Sequence, residues 1–238
     1  MLISETTSTL SDAVSELPRI YLDNAATSWP KPQAVYTAVD DYQRRLGAAI
    51  GRGGYAEADE VGEAVHETRA MVARLICAEG PERIIFTFNG TDSLNLAIHG
   101  TLKPGDHVVT SVAEHNSVLR PLRMLEKKRR NEVTRVGCDS AGVIDPEDIR
   151  SALRPETKLV ILTHASNVTG AIQPAAEVGR ITREHGALFL LDAAQTLGHL
   201  PVSVADLGAD LLAAPGHKGL LGPLGTGILY IRSGVEDV

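Results

Sequence analysis

Cysteine is almost missing from this 238-residue chain, which holds only Cys77 and Cys138. Far apart and without metal-ligand spacing, the two exclude a disulfide framework and a zinc site. Cys77, in the run from Ala73 to Ala78, reads as a small buried apolar residue at the end of a helix. An excess of basic charge is missing too. The 23 Lys and Arg face 30 Asp and Glu, a net charge of -7, which argues against a general nucleic-acid binder because phosphate backbones reward clustered cations. The one basic run, Lys127 to Arg130, reads as a solvated helix end that complements the helix dipole. No stretch approaches the roughly 18 consecutive apolar residues of a membrane span. Residues 1–17 carry Glu5, Asp12 and Glu16 without a basic start or an apolar run, so neither a leader nor an anchor is read there. These absences lead to the expectation of a soluble, cytoplasmic protein with no membrane or nucleic-acid partner and no metal.

What is present is an ordinary globular composition, 43% apolar and 22% charged. One large domain over residues 18–238 is expected, preceded by a Ser- and Thr-rich, mobile or loosely helical extension over residues 1–17. Helical periodicity runs from Pro32 to Leu46 and from Glu57 to Ile76, with the Gly-rich stretch Gly47 to Gly54 between them. Beyond Ile76 the pattern changes to short apolar runs alternating with amphipathic segments, the signature of βαβ units. Strands are predicted at 84–88, 107–112, 132–136, 158–164, 187–192, 210–214 and 226–232. Helices are predicted at 91–101, 116–131, 145–153 and 174–186, the third opened by Asp145-Pro146, an N-cap followed by a first-turn proline. Gly105 and Gly142 read as turn glycines. Together these make a three-layer α/β domain, whose sites lie outside the carboxyl ends of the strands.

Two strand ends carry chemistry. The run Ala187 to Asp192 is apolar until its final carboxylate, whose charge burial would penalise unless a cation meets it. A protonated heterocycle would serve, and so would a plain loop cap. The run Ala213-Ala214-Pro215-Gly216-His217-Lys218-Gly219 places a lysine in a small-residue loop after another strand. Partial desolvation there would lower its pKa and make it a nucleophile toward an aldehyde, whereas a surface lysine is the plainer reading. Pyridoxal 5′-phosphate (PLP) chemistry needs both groups: a lysine for the Schiff base and a carboxylate that keeps the pyridine nitrogen protonated.

Asp192-Ala193-Ala194-Gln195, then Gly216-His217-Lys218, then Gly222 to Gly227 resemble the core signature of the class V aminotransferases, most closely their cysteine desulfurase branch. Tyr21 to Thr27, Phe86 to Asn95, Glu114 to Ser117 and His164 to Gly170 are similar to that family's other motifs, in the same order, over about residues 20 to 232. The resemblance implies the aspartate aminotransferase-like fold, fold type I, with a mainly parallel seven-stranded sheet. It implies that Lys218 carries PLP and Asp192 pairs with the pyridinium nitrogen. His115 would stack on the ring and move protons, Asn167 and Gln195 would bond the phenolic oxygen side, and Thr91, Gly90 and His217 would hold the phosphate at a helix N-terminus. Asn24, Ala26 and Arg52 would lie toward the substrate. His115 alone could equally be a surface histidine, Thr91 an N-cap, Asn167 and Gln195 loop ties, and Arg52 a solvated loop arginine.

Two departures stand out. Pro215 occupies a place where the family commonly has a phosphate-binding serine, and it offers neither hydroxyl nor amide donor. Family members also continue into a small C-terminal domain with a persulfide cysteine and a carboxylate-gripping arginine, whereas this sequence is read as ending before it. The function implied is conversion of L-cysteine to L-alanine, with sulfur passed to an acceptor protein and a homodimer as the working form. An aminotransferase or selenocysteine lyase of the same family, or a truncated non-catalytic PLP-binding relative, stands as the alternative. A nucleotide-binding α/β domain is disfavoured, because Gly216, Gly219 and Gly222 form neither a GxGxxG nor a P-loop pattern.

Overall fold

A computed structural model describes residues 19–236, so the extension expected over residues 1–17 lies outside the described residues. Helix α1 (Gln33–Asp41) passes through a π-helical turn (Tyr42–Leu46) and a Gly-rich loop into α2 (Ala56–Leu75). From there strands and helices alternate: β1 (Ile84–Thr87), α3 (Gly90–Thr101), β2 (His107–Ser111), α4 (Asn116–Arg129) and β3 (Glu132–Val136). They are followed by α5 (Pro146–Ala152), β4 (Thr157–Thr163), α6 (Ala175–His185), β5 (Leu188–Asp192), β6 (Leu211–Pro215) and β7 (Gly227–Ile231). All seven predicted strands form, in one sheet of order β1-β7-β6-β5-β4-β2-β3. Strands β3, β2, β4, β5 and β6 run parallel, and β7 lies antiparallel between β6 and β1.

The inner strands β4, β5 and β6 are apolar on both faces because both faces are covered by helices. Alternate residues sort cleanly. Val109, Val160, Leu162, Phe189, Leu191 and Leu212 pack with Val72, Ile149, Val178 and Ile181 of α2, α5 and α6. Val108, Leu159, Ile161, Leu190 and Leu211 pack with Leu94, Ile98, Val118 and Leu122 of α3 and α4. Local signals act as read: the Asp145 side chain accepts from Glu147 N with Pro146 at the first helical position, and Gly105 and Gly142 take positive φ. The basic run ends α4 in solvent. Cys77 is a correction. It is exposed at a φ of 54°, because the chain turns left-handed straight after α2 and buries Ile76 instead.

Direction matters for function. Because β7 is antiparallel to both neighbours, β1 points the same way as β6, and its carboxyl end joins those of β2, β4, β5 and β6 at one edge of the sheet. No described helix is long and apolar enough to cross a membrane.

Candidate active site

That edge carries a narrow cleft of about 90 Å³ lined by residues that follow five different strands, among them Thr91, His115, Asn167, Asp192, Gln195 and Lys218. At Thr91, His115 and Ser117 it opens into a wider groove of about 620 Å³ between α3 and α4. Asp192 ends β5 opposite Thr163 of β4 and Ala213 of β6 and is only 3% exposed. Its Oδ1 accepts from Ala194 N at 2.9 Å. Burial raises its pKa above the ordinary carboxylate value, while Ala194 N–H and the nearby His115 and Lys218 pull it back down. Lys218, half-buried, responds in the opposite sense: desolvation lowers its pKa and the Asp192 charge restores part of it. Together the two groups offer the cleft a carboxylate able to hold a cationic ring and an amine biased toward its nucleophilic form.

The lysine loop is fixed from below. His217 O accepts from Ser28 N at 3.1 Å, Thr27 Oγ1 at 3.1 Å, Ser28 Oγ at 3.0 Å and Lys31 Nζ at 2.6 Å. Ser28 Oγ also reaches Lys218 O at 3.0 Å. The His217 Nδ1 bonds Thr27 Oγ1 at 3.0 Å. Burial and the neighbouring Lys218 and Lys31 lower the His217 pKa, so its imidazole is biased neutral. Gly219 is glycine for want of room: a Cβ there would stand 2.3 Å from Leu197 O.

A second cluster forms at the mouth of the cleft. Asn89 caps α3, its side chain accepting from Asp92 N, so the first N–H groups of the helix, at Gly90 and Thr91, have no partner inside it. Thr91 Oγ1 bonds Ser117 Oγ at 2.7 Å, and Ser117 Oγ bonds His115 Nδ1 at 2.8 Å. His115 is itself the N-cap of α4, its Nδ1 accepting from Ser117 N at 3.1 Å. Since that amide can only donate, Nδ1 is an acceptor and the ring proton sits on Nε2. Hydroxyls, unpaired amides and the positive end of α3 together suit an anion. Pro215 lies behind this corner: a Cβ on Gly90 would come within 3.1 Å of its ring.

Of the residues singled out from sequence, Gly90, Thr91, His115, Asn167, Asp192, Gln195, His217 and Lys218 all meet at the cleft. Gln195 Nε2 also donates to Ala25 O at 3.1 Å, which ties the Tyr21–Thr27 segment to the site. Asn24, Ala26 and Arg52 are not brought to it. Asn24 Oδ1 accepts from Trp29 N within its own loop, and Arg52 is exposed in the Gly-rich loop after α1. Sequence reasoning passed over Ser117, whose partner Thr91 lies 26 positions away, and Thr27, Ser28 and Lys31, whose parts depend on a fold that brings residues about 190 positions apart into contact. It also passed over Glu114. This carboxyl is 6% exposed, with Oε1 accepting from Ser111 Oγ at 2.7 Å and Thr163 N at 3.0 Å, and with Oε2 buried and unpartnered. Its place directly before His115 was the available signal. Cys77 and Cys138 do not line the cleft, and among the described residues no group of three or more His, Cys, Asp or Glu is placed to hold a metal ion.

Comparison with known proteins gives this arrangement its context. The family model described as Aminotransferase class-V matches residues 20–237. The protein named "Probable cysteine desulfurase" of Methanothermobacter thermautotrophicus is 41% identical over 218 residues, covering 91% of this chain and 54% of the relative. The protein named cysteine desulfurase IscS of Dictyoglomus turgidum is 40% identical over 222 residues, covering 91% and 55%. Among solved structures, the apo cysteine desulfurase from Thermococcus onnurineus superposes with a TM-score of 0.85 at 38% identity, covering 98% of this chain and 58% of that one. A structure described as SspA in complex with cysteine does so at 0.85 and 32% identity, covering 90% and 62%. The chain thus spans about half the length of the curated relatives it matches.

Proposed function

This chain belongs to the aminotransferase class-V family, and from that premise we propose that it is the cofactor-binding large domain of a PLP-dependent cysteine desulfurase, with Lys218 as the residue that carries PLP. The observation that carries the reading is the pairing, in one cleft, of a buried strand-end carboxylate with a desolvated lysine beside a bare helix N-terminus. The donor set fits the group. Asp192 supplies the negative charge for a pyridinium nitrogen. The unpaired amides of Gly90 and Thr91 supply donors for a phosphate, which answers the loss of the family serine at Pro215. His217 lines the cleft at the same loop. Bound there, PLP supplies an electron sink that makes the bonds at the Cα of an amino acid labile.

The chain's own residues do the rest. Burial opposes the Asp192 charge, and the Ala194 N–H and the nearby Lys218 sustain it. His115 presents Nε2, because Nδ1 is committed to Ser117, and so offers a proton-transfer atom at the cleft. Asn167 and Gln195 also line the cleft and are suited to orient an oxygen. The four donors on His217 O hold the lysine loop so that Lys218 Nζ faces the cleft repeatedly in one place. L-cysteine is the substrate proposed, supported by the names of the relatives and by the neighbour solved with cysteine. A sulfur-acceptor protein and a homodimer complete the proposal, the latter with the open groove between α3 and α4 as its candidate surface.

The test is the visible absorbance of the purified chain after PLP is added, for the parent and for Lys218→Ala, followed by borohydride reduction and peptide mapping. The expected result is a band lost in the variant and a reduced label on Lys218. A folded parent with no band, or a label elsewhere, overturns the assignment.

A further inference from the structure

Glu114 has no role in the reading above, yet it is a carboxyl buried to 6% exposure beside the cleft. Ser111 at the end of β2 and Thr163 at the end of β4 both donate to Oε1. Thr163 pairs in register with Asp192 of β5, which brings that second carboxyl close. Asp192 is the charged group that acts on Glu114, and no lysine, arginine or histidine forms a salt bridge with it among the described residues. His115 follows in sequence but turns its ring to Ser117. A buried carboxylate without a cation, with one oxygen unpartnered and another carboxylate nearby, is the least favourable of the available states. The two carboxyls therefore divide the work, because their surroundings differ. Asp192 has His115 and Lys218 at hand and keeps the charge, whereas Glu114 has only neutral donors and takes the proton.

We propose that Glu114 is a positioning residue held as a neutral carboxylic acid, which clamps the carboxyl ends of β2 and β4 so that Asp192 is the one charged carboxylate at the cleft. Burial agrees, pushing the Glu114 pKa up to about 8, with the Ser111 and Thr163 bonds pulling against it and the Asp192 charge adding to it. The clamp also fixes the chain directly ahead of His115, so it acts on the site through the start of α4. The link to the cofactor rests on the PLP reading above. The protonation state of Glu114 does not.

The experiment has two arms on the full chain. Infrared difference spectra of parent against Glu114→Gln, without PLP, should show the C=O stretch of a protonated acid near neutral pH that is lost in the variant and fades in the parent as pH rises through about 8. Absence of that band in the folded parent at pH about 6 overturns the proposal. In the second arm PLP affinity is measured. Glu114→Gln, neutral and of the same shape, should stay within about twofold of the parent, and Glu114→Ala, which loses both clamp bonds, should weaken by about tenfold. Equal losses in both variants overturn the neutral clamp. A parent that shows the infrared band but binds no PLP upholds the protonation of Glu114 and sinks the cofactor reading instead.

Discussion

Lys218 and Asp192 act on one another through a short stretch of low-polarity cleft, and the sign of that coupling can be tested. Desolvation lowers the lysine pKa and the aspartate charge raises it, so Asp192→Asn removes only the raising influence. The pH at which Lys218 becomes half nucleophilic should then move down from its parent value, read as the pH profile of PLP attachment. A profile that moves up, or stays fixed, separates the two residues. Glu114 provides the complementary test. Its folded pKa lies above the unfolded carboxylate value, so the stability it contributes is complete below that unfolded value of about 4.5 and is lost as pH rises through about 8. Glu114→Gln should accordingly match the parent in thermal midpoint near pH 4.5 and exceed it above pH 8. Both residues stand in motifs readable from sequence, but only Asp192 was legible as a chemical group, because it ends an apolar run. Glu114 sits one residue before a more obvious histidine, and its burial depends on Ser111 and Thr163, the latter 49 positions away.

At the scale of elements, the alternation of short apolar runs with amphipathic segments placed all seven strands and the intervening helices, most plainly at β4, β5 and β6, which are buried on both faces. Periodicity carried less information where one helix runs on in a different winding, as at Tyr42–Leu46, or where a turn reverses a side chain, as at Cys77. Close approaches between elements were invisible, since they depend on partners distant in sequence. Gly179 of α6 shows this: a Cβ there would stand 2.1 Å from Leu207 O, whereas one on Gly62 in α2 would meet nothing within 4 Å. Gly179→Ala should therefore lower the thermal midpoint by forcing α6 off its bed. Gly62→Ala should raise it, by about 1 kcal/mol in unfolding free energy, through helix propensity alone. Calorimetry on the two single variants decides the comparison.

For the molecule as a whole, stability against acid should reflect imidazoles kept neutral by burial. His107 is 2% exposed and bridges Thr157 at 2.7 Å and Thr134 at 2.9 Å, which joins β2 to strands on both sides. Desolvation holds its pKa below 6.5. With the folded value depressed, the unfolded chain takes up the proton first, so stability present above pH about 6.5 falls as pH drops toward the folded value. His107→Gln should flatten the acid limb of the melting curve relative to the parent. His164 is lowered by burial as well, so a residual slope remains.

The place of β7 also has a bearing on how the chain is made. Strand β1 finds its one sheet partner in β7, some 140 residues later, and the amides of α3 hang directly from β1. On a ribosome, β2 to β6 can assemble as they emerge, each against a neighbour already synthesised or soon to be. The corner at Gly90 and Thr91 must wait until Ile231 has cleared the exit tunnel and β7 slides between β6 and β1. A chain truncated short of Gly227 would hold Asp192 and Lys218 beside β4, β5 and β6 while β1, and with it Gly90 and Thr91, lacked its sheet partner, so closure of this corner is a late event of folding.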